Sequence, residues 1–149
     1  MNIIPYKQAK QLNKIGFNIY LTLGNVTSLY NKDGVHTPYT NYGVMYSGLS
    51  GNYISAPTYE QVFKWFRTKH KLSAWSYQYK KNECGYVIYS IKGVLLKTQA
   101  GNIKTVEEAE EECLIQLIKL HFNLVNRSIK IKEQQNASAH YSPIPFSYV

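Results

Sequence analysis

Two short segments of the same form set where helices can begin in this chain. Thr58-Tyr59-Glu60-Gln61 and Thr105-Val106-Glu107-Glu108 both read as capping boxes. In such a box the threonine hydroxyl accepts from one free backbone N–H of the first turn, and the Gln or Glu side chain accepts from another. After the first box, Tyr59, Val62, Phe63, Phe66 and His70 recur at helical spacing, with Trp65 at the flank. After the second, Val106, Ala109, Cys113, Leu117, Leu120 and Leu124 form one apolar stripe. Ile115, Ile118 and Phe122 form another on the opposite side, and the helix is expected to run to about Asn126. A helix that is apolar on two sides needs two covers. The second is the N-terminal segment or another copy of the chain, so Ile115, Ile118 and Phe122 are the expected surface of a homodimer.

Between the boxes the period changes from helical to two. Over residues 74–81, Trp75, Tyr77 and Tyr79 share one face, and Ala74, Ser76, Gln78 and Lys80 share the other. An aromatic file of this kind could serve as a stacking platform for single-stranded nucleic acid, but the polar character of the second file predicts that the aromatic file faces the core. Residues 82–85 read as a turn, 86–91 as a second strand rich in β-formers, and 94–96 as a third after Lys92-Gly93. Residues 58–126 are therefore expected to fold as helix, three antiparallel strands, helix: an α+β core with both helices on the Trp75 side.

Upstream, Pro5, Ala9, Leu12, Ile15 and Gly16 predict a helix over residues 5–15, ended by the glycine. Residues 17–23 alternate weakly, as a strand would. The stretch 24–57 is different in kind. It holds five of the nine glycines and five tyrosines, with Asn, Ser and Thr filling most gaps. Asp33-Gly34 within it signals a hairpin. Tyrosine, serine, glycine and asparagine together combine rigid amphipathic contact area with adaptable hydrogen bonding, as binding loops do. Tyr39, Tyr42, Tyr46 and Tyr53 are accordingly the expected protein-contact residues of a long Tyr/Gly-rich insert. The expected organisation is one α+β domain over residues 1–133 and a polar tail over 134–149.

Charge bounds the partners. The chain of 149 residues carries a formal charge of +8, and five of its nine acids lie together at Glu107, Glu108, Glu110, Glu111 and Glu112. That cluster sits at a helix start, where acids are stabilising without any further role. The rest of the chain is strongly basic, a field that favours anionic partners. The four histidines and two cysteines show no ligand spacing, so no metal or other cofactor is expected. No nucleophile motif or phosphate-cradling glycine loop is present, so the chain is not expected to be an enzyme. No run of about 18 apolar residues occurs, so no membrane association is expected. Two cysteines without a framework and an N-terminus without an apolar run fit a cytoplasmic protein.

The stretch Ser55-Ala56-Pro57-Thr58-Tyr59-Glu60-Gln61-Val62-Phe63-Lys64-Trp65-Phe66-Arg67, followed by strands and then Lys104-Thr105-Val106-Glu107-Glu108-Ala109-Glu110-Glu111-Glu112-Cys113-Leu114, resembles small uncharacterised proteins of gut anaerobic bacteria and their phages. The likeness covers about half the chain and implies no particular activity. The order helix, three strands, helix is also similar to double-stranded-RNA-binding domains. Where that family grips phosphate with lysines, this chain has Glu107, Glu108, Glu110 and Glu111, which repel it. Trp75-x-Tyr77-x-Tyr79 followed by a hairpin resembles the arm-type DNA-binding domain of phage integrases, which reads DNA with its sheet. That resemblance implies Lys80, Lys81, Lys92 and Lys97 as phosphate contacts.

The functional expectation is a non-enzymatic accessory protein, phage or mobile-element associated, that acts through contacts with a protein partner. The alternative is a basic nucleic-acid-binding module that uses the four strand lysines.

Overall fold

The computed structural model describes residues 2–17, 28–38 and 53–139. The chain divides into two compact units, Met1–Ile118 and Lys119–Val149. The first unit is α+β. Helix α1 spans Tyr6–Lys14, and strands β1 (Ser28–Asn31), β2 (His36–Pro38) and β3 (Tyr53–Ser55) make a small antiparallel sheet in the order β2-β1-β3. Helix α2 (Tyr59–Trp65) continues into a π-helical turn, Phe66–His70. Strands β4 (Leu72–Lys80), β5 (Glu83–Ser90) and β6 (Leu95–Ile103) form a second antiparallel sheet in sequence order, before helix α3 (Val106–Ala139).

Local chemistry accounts for the ends of these elements. Past α1, Gly16 takes φ +85°, its N–H donates to the Asn13 carbonyl, and the Phe17 N–H donates to the Leu12 carbonyl. This pattern is the Schellman stop, which needs a residue at ease in the left-handed region. It carries Phe17 into the core, edge-on to Trp65 at 5.2 Å between ring centroids. The Asp33-Gly34 hairpin forms as expected. Asn31 Oδ1 accepts from the backbone N–H groups of Asp33 and Val35, which closes the turn between β1 and β2. Both bonds of the Thr58 capping box are present. The second box is a variant: Glu108 N–H donates to the Thr105 hydroxyl, but the Glu108 carboxylate accepts from the N–H of Lys104.

The core collects Leu12, Phe66, Tyr86, Ile88, Leu114 and Leu117, all essentially fully buried. Its position overturns one expectation. Trp75 and Tyr79 are 48% and 43% exposed, so the aromatic file of β4 points away from the core. The core side of β4 is Leu72, Ala74 and Ser76. Register explains the choice: Ala74 lies opposite Ile88 and Ser76 opposite Tyr86, both at 0% exposure. The large side chains of β5 fill the interior, and small neighbours on β4 leave them room.

Other boundaries also move. The third strand is longer than residues 94–96, because pairing with β5 extends it through a polar stretch to Ile103. Cys84, expected in a turn, is buried within β5. Ile118, assigned to a dimer surface, is only 3% exposed in the chain itself. It belongs to the buried file with Ala109, Cys113, Leu114 and Leu117. Ile115 is half-buried, and Phe122 is exposed. Leu124, expected on the covered stripe, is exposed as well.

In the second unit α3 continues to Ala139, so residues 134–139 are helical. Val125, Ile129 and Ile131 are exposed there. Among the described residues no helix is long and apolar enough to cross a membrane.

Candidate functional site

The surface with the most distinctive chemistry is the outward face of the second sheet. Partners directly across antiparallel strands share a face. Trp75 lies opposite Val87, which lies opposite Thr98; Tyr77 lies opposite Gly85, then Ala100; Ser73 lies opposite Tyr89, then Leu95. Four rings therefore share one surface. Trp75 and Tyr89 are stacked, with centroids 5.5 Å apart and planes 21° from parallel. Tyr77 and Tyr79 meet at 6.1 Å with a tilt of 51°. Beneath the rings Val87 is nearly covered, at 8% exposure.

Glycines make room for this arrangement. A Cβ on Gly85 would sit 3.0 Å from the Tyr77 ring carbon Cζ and collide with the Gln99 carbonyl oxygen. Gly101, at φ +98°, lies under the Tyr79 hydroxyl, which a Cβ there would approach to 3.3 Å. Rings laid over strand glycines regain the contact area that the missing side chain forfeits. β6 is irregular beside both, with a register shift between Cys84 and Gly85, and a second shift lies further along, between Ile88 and Tyr89. Bulges of this kind increase local twist and re-aim side chains.

The charges along this part of the chain are one-sided. Residues 61–104 contain nine Lys and Arg against a single acid, Glu83. Glu83 is already engaged: it lies 3.7 Å from Lys80 Nζ. Tyr79 also hydrogen-bonds it, and desolvation and then that bond raise the phenol above its ordinary value. Among the described residues, Lys81, Lys92 and Lys97 have no carboxylate within ion-pair distance. Five other acids, Glu107, Glu108, Glu110, Glu111 and Glu112, are gathered in the first turns of α3, behind the sheet. There Glu111 accepts from Gln8 Nε2, Glu112 from Gln116 Nε2, and Glu108 completes the cap. Burial raises the phenol of Tyr86, on the core side, and the charge of Glu112 raises it further.

Of the four predicted lysines, Lys80 and Lys81 lie at the β4–β5 turn and Lys92 in the β5–β6 loop. Lys97 lies opposite Ile88, so by register it joins the core-side file and not the aromatic one. Tyr53, on β3, is 45% exposed. Tyr39, Tyr42 and Tyr46 lie outside the described residues. Tyr89 was missed as a site residue, although its alternation with Val87 marks the same file as Trp75. A separate cleft of about 410 Å³ is lined by Asn2, Thr58, Tyr59, Glu60 and Glu110, and burial raises the Glu110 carboxyl above its ordinary value. Burial and then the Glu111 and Glu110 charges push the Tyr59 phenol up to about 12, so it stays protonated. Among the described residues no group of three or more His, Cys, Asp or Glu could hold a metal ion. In comparisons with known proteins the chain matches no family model, no curated protein and no solved structure.

Proposed function

We propose that this chain binds nucleic acid through the outward face of its second sheet. The observation that carries the reading is the half-exposed Trp75, stacked on Tyr89 in a sheet face that the core does not use. Burial of aromatic surface is a major source of folding stability. A sequence that holds four rings on the outer face of a small sheet forgoes much of that gain, and a ligand would recover it. The field at the ends of the sheet selects the ligand's sign, since Lys80, Lys81 and Lys92 stand there against one engaged acid, Glu83. The glutamates in the first turns of α3, which would repel phosphate, belong to the other side of the sheet. Binding is therefore assigned to the sheet, and the first turns of α3, up to Ile118, serve as its backing.

The test is an anisotropy titration with a mixed-sequence oligonucleotide at several salt concentrations between 50 and 200 mM, a range over which phosphate contacts change affinity steeply. Affinity should fall steeply as salt rises. Replacing Lys80, Lys81 and Lys92 with alanine together should flatten the logarithmic slope by roughly one for each ammonium group removed from a phosphate. An affinity independent of salt, or unchanged in the triple variant, would remove the reading.

A further inference from the structure

The nature of the outward face goes further than its charge. We infer that the nucleic acid it takes is single-stranded, with bases stacked on the Trp75–Tyr89 pair and on Tyr77. This inference rests on the nucleic-acid reading above, but it can fail while that reading stands.

Reading a duplex through a groove requires donors and acceptors that match base edges, supplied by side chains such as Arg, Asn and Gln. The centre of this face has no Arg, Asn or Gln; apart from the Thr98 hydroxyl, its polar atoms are the tips of the rings themselves and the Ser73 hydroxyl. Its files are Trp75, Val87 and Thr98; Tyr77, Gly85 and Ala100; and Ser73, Tyr89 and Leu95. Even the Thr98 hydroxyl is committed, since it donates to the Tyr86 carbonyl at 3.2 Å. The face therefore offers mainly π-surface where a duplex would need the long polar side chains that reach base edges. A duplex hides its base faces within its own stack, so it would meet these rings mainly with phosphate and sugar. An unpaired strand has free base faces, and each can lie on an aromatic side chain whatever its sequence.

The charges are arranged to match. Lys80 and Lys81 end one side of the aromatic patch at the β4–β5 turn, and Lys92 stands at the β5–β6 loop at the other end of the strands. Rings at the centre and ammonium groups at both ends suit a strand whose bases turn down onto the sheet while its phosphates run between the ends. The rings are also set in advance. Tyr77 rests on Gly85, and Trp75 is held against Tyr89, so little side-chain freedom is lost when bases arrive.

The experiment uses the full chain carrying Trp65→Phe, so that Trp75 is the sole tryptophan. It is titrated with a 12-nucleotide RNA, the same sequence in DNA, and the corresponding 12-base-pair DNA duplex. Tryptophan quenching and anisotropy are read together, and the two single strands show whether the sugar matters. Single strands should quench Trp75 and bind at least tenfold tighter than duplex. Trp75→Ala or Tyr89→Ala should weaken single-strand binding by roughly ten- to a hundredfold, the range that loss of base stacking gives. The same variants should leave duplex affinity almost unchanged and retain the native circular dichroism. Tight duplex binding with weak single-strand binding would overturn this inference alone. Single-strand binding unaffected by both ring variants would overturn it too, whereas no binding to any of the three would overturn the nucleic-acid reading with it.

Discussion

The Tyr77 ring lies over Gly85, the residue directly across the β4–β5 ladder, so closely that a Cβ there would sit 3.0 Å from the ring's Cζ. This contact lets Tyr77 pack on backbone. It also ties a site residue to the stability of the sheet.

Gly85→Ala tests that tie. The added methyl would strike the Gln99 carbonyl, which belongs to the backbone and cannot swing aside as a side-chain end could. Overpacking of this kind costs about 1–3 kcal/mol, and the upper half of that range is expected here. Denaturant melts of the variant should show it, together with weaker oligonucleotide binding. Gly93→Ala would meet no atom within 4 Å, although its φ of +78° still penalises a side chain, so it should cost less.

Thr58 makes a narrower case. Its hydroxyl accepts from Gln61 N–H at 3.3 Å, and its own N–H donates to Gln61 Oε1 at 2.9 Å. Thr58→Ala removes one half of the box and should cost about 1 kcal/mol, as loss of an N-cap does. Thr58→Ser should restore most of it. Equal losses in both variants would show that the methyl group, and not the cap, matters at this position.

Alkali should unfold the protein through buried acids that resist ionisation. Burial, then the Glu110 and Glu112 charges, push the Cys113 thiol from 9.0 up to about 12. The Tyr59 phenol rises from 10.0 to about 12. Because both folded values lie above the unfolded ones, the native state holds these protons more tightly. Their contribution to stability is complete below pH 9 and is lost as the pH climbs toward 12. Urea midpoints measured from pH 7 to 11 should decline above pH 9, and Cys113→Ala should make that decline shallower. A midpoint constant through pH 11 would contradict the assignment.

Much of this architecture is legible in the residues. The capping boxes, the Gly16 stop and the Asp33-Gly34 turn are local devices, and local hydrogen bonding decides them. Which face of β4 points inward is not local. Alternation reveals a period of two but not its sign. The more apolar file, Trp75, Tyr77 and Tyr79, reads as the inner one until β5 is considered. From Cys84 to Ile88 every residue of β5 is buried, so its sequence marks neither face as outer. Tertiary packing decides instead: Tyr86 and Ile88 claim the interior, and Ala74 and Ser76 fit beside them. The same kind of context extends β6 to Ile103, since Thr98, Gln99 and Asn102 have no strand pattern of their own.

The core assignment predicts a contrast between two aromatic residues. Phe66 is fully buried, so Phe66→Ala should cost about 3–5 kcal/mol. Trp75→Ala removes a larger side chain, but from a half-exposed site, and should cost under about 1 kcal/mol by the usual scale for surface positions. Comparable losses in the two variants would place Trp75 in the core after all.

The most direct measurement is collisional quenching of each tryptophan alone. Trp65 is 4% exposed and Trp75 48%. With Trp65→Phe, the remaining Trp75 should emit at long wavelength and be quenched readily by acrylamide and iodide, and single-stranded oligonucleotide should protect it. With Trp75→Phe, Trp65 should emit at shorter wavelength and resist both quenchers. A shielded, blue-shifted Trp75 in the free protein would contradict the outward aromatic face and the binding surface built on it.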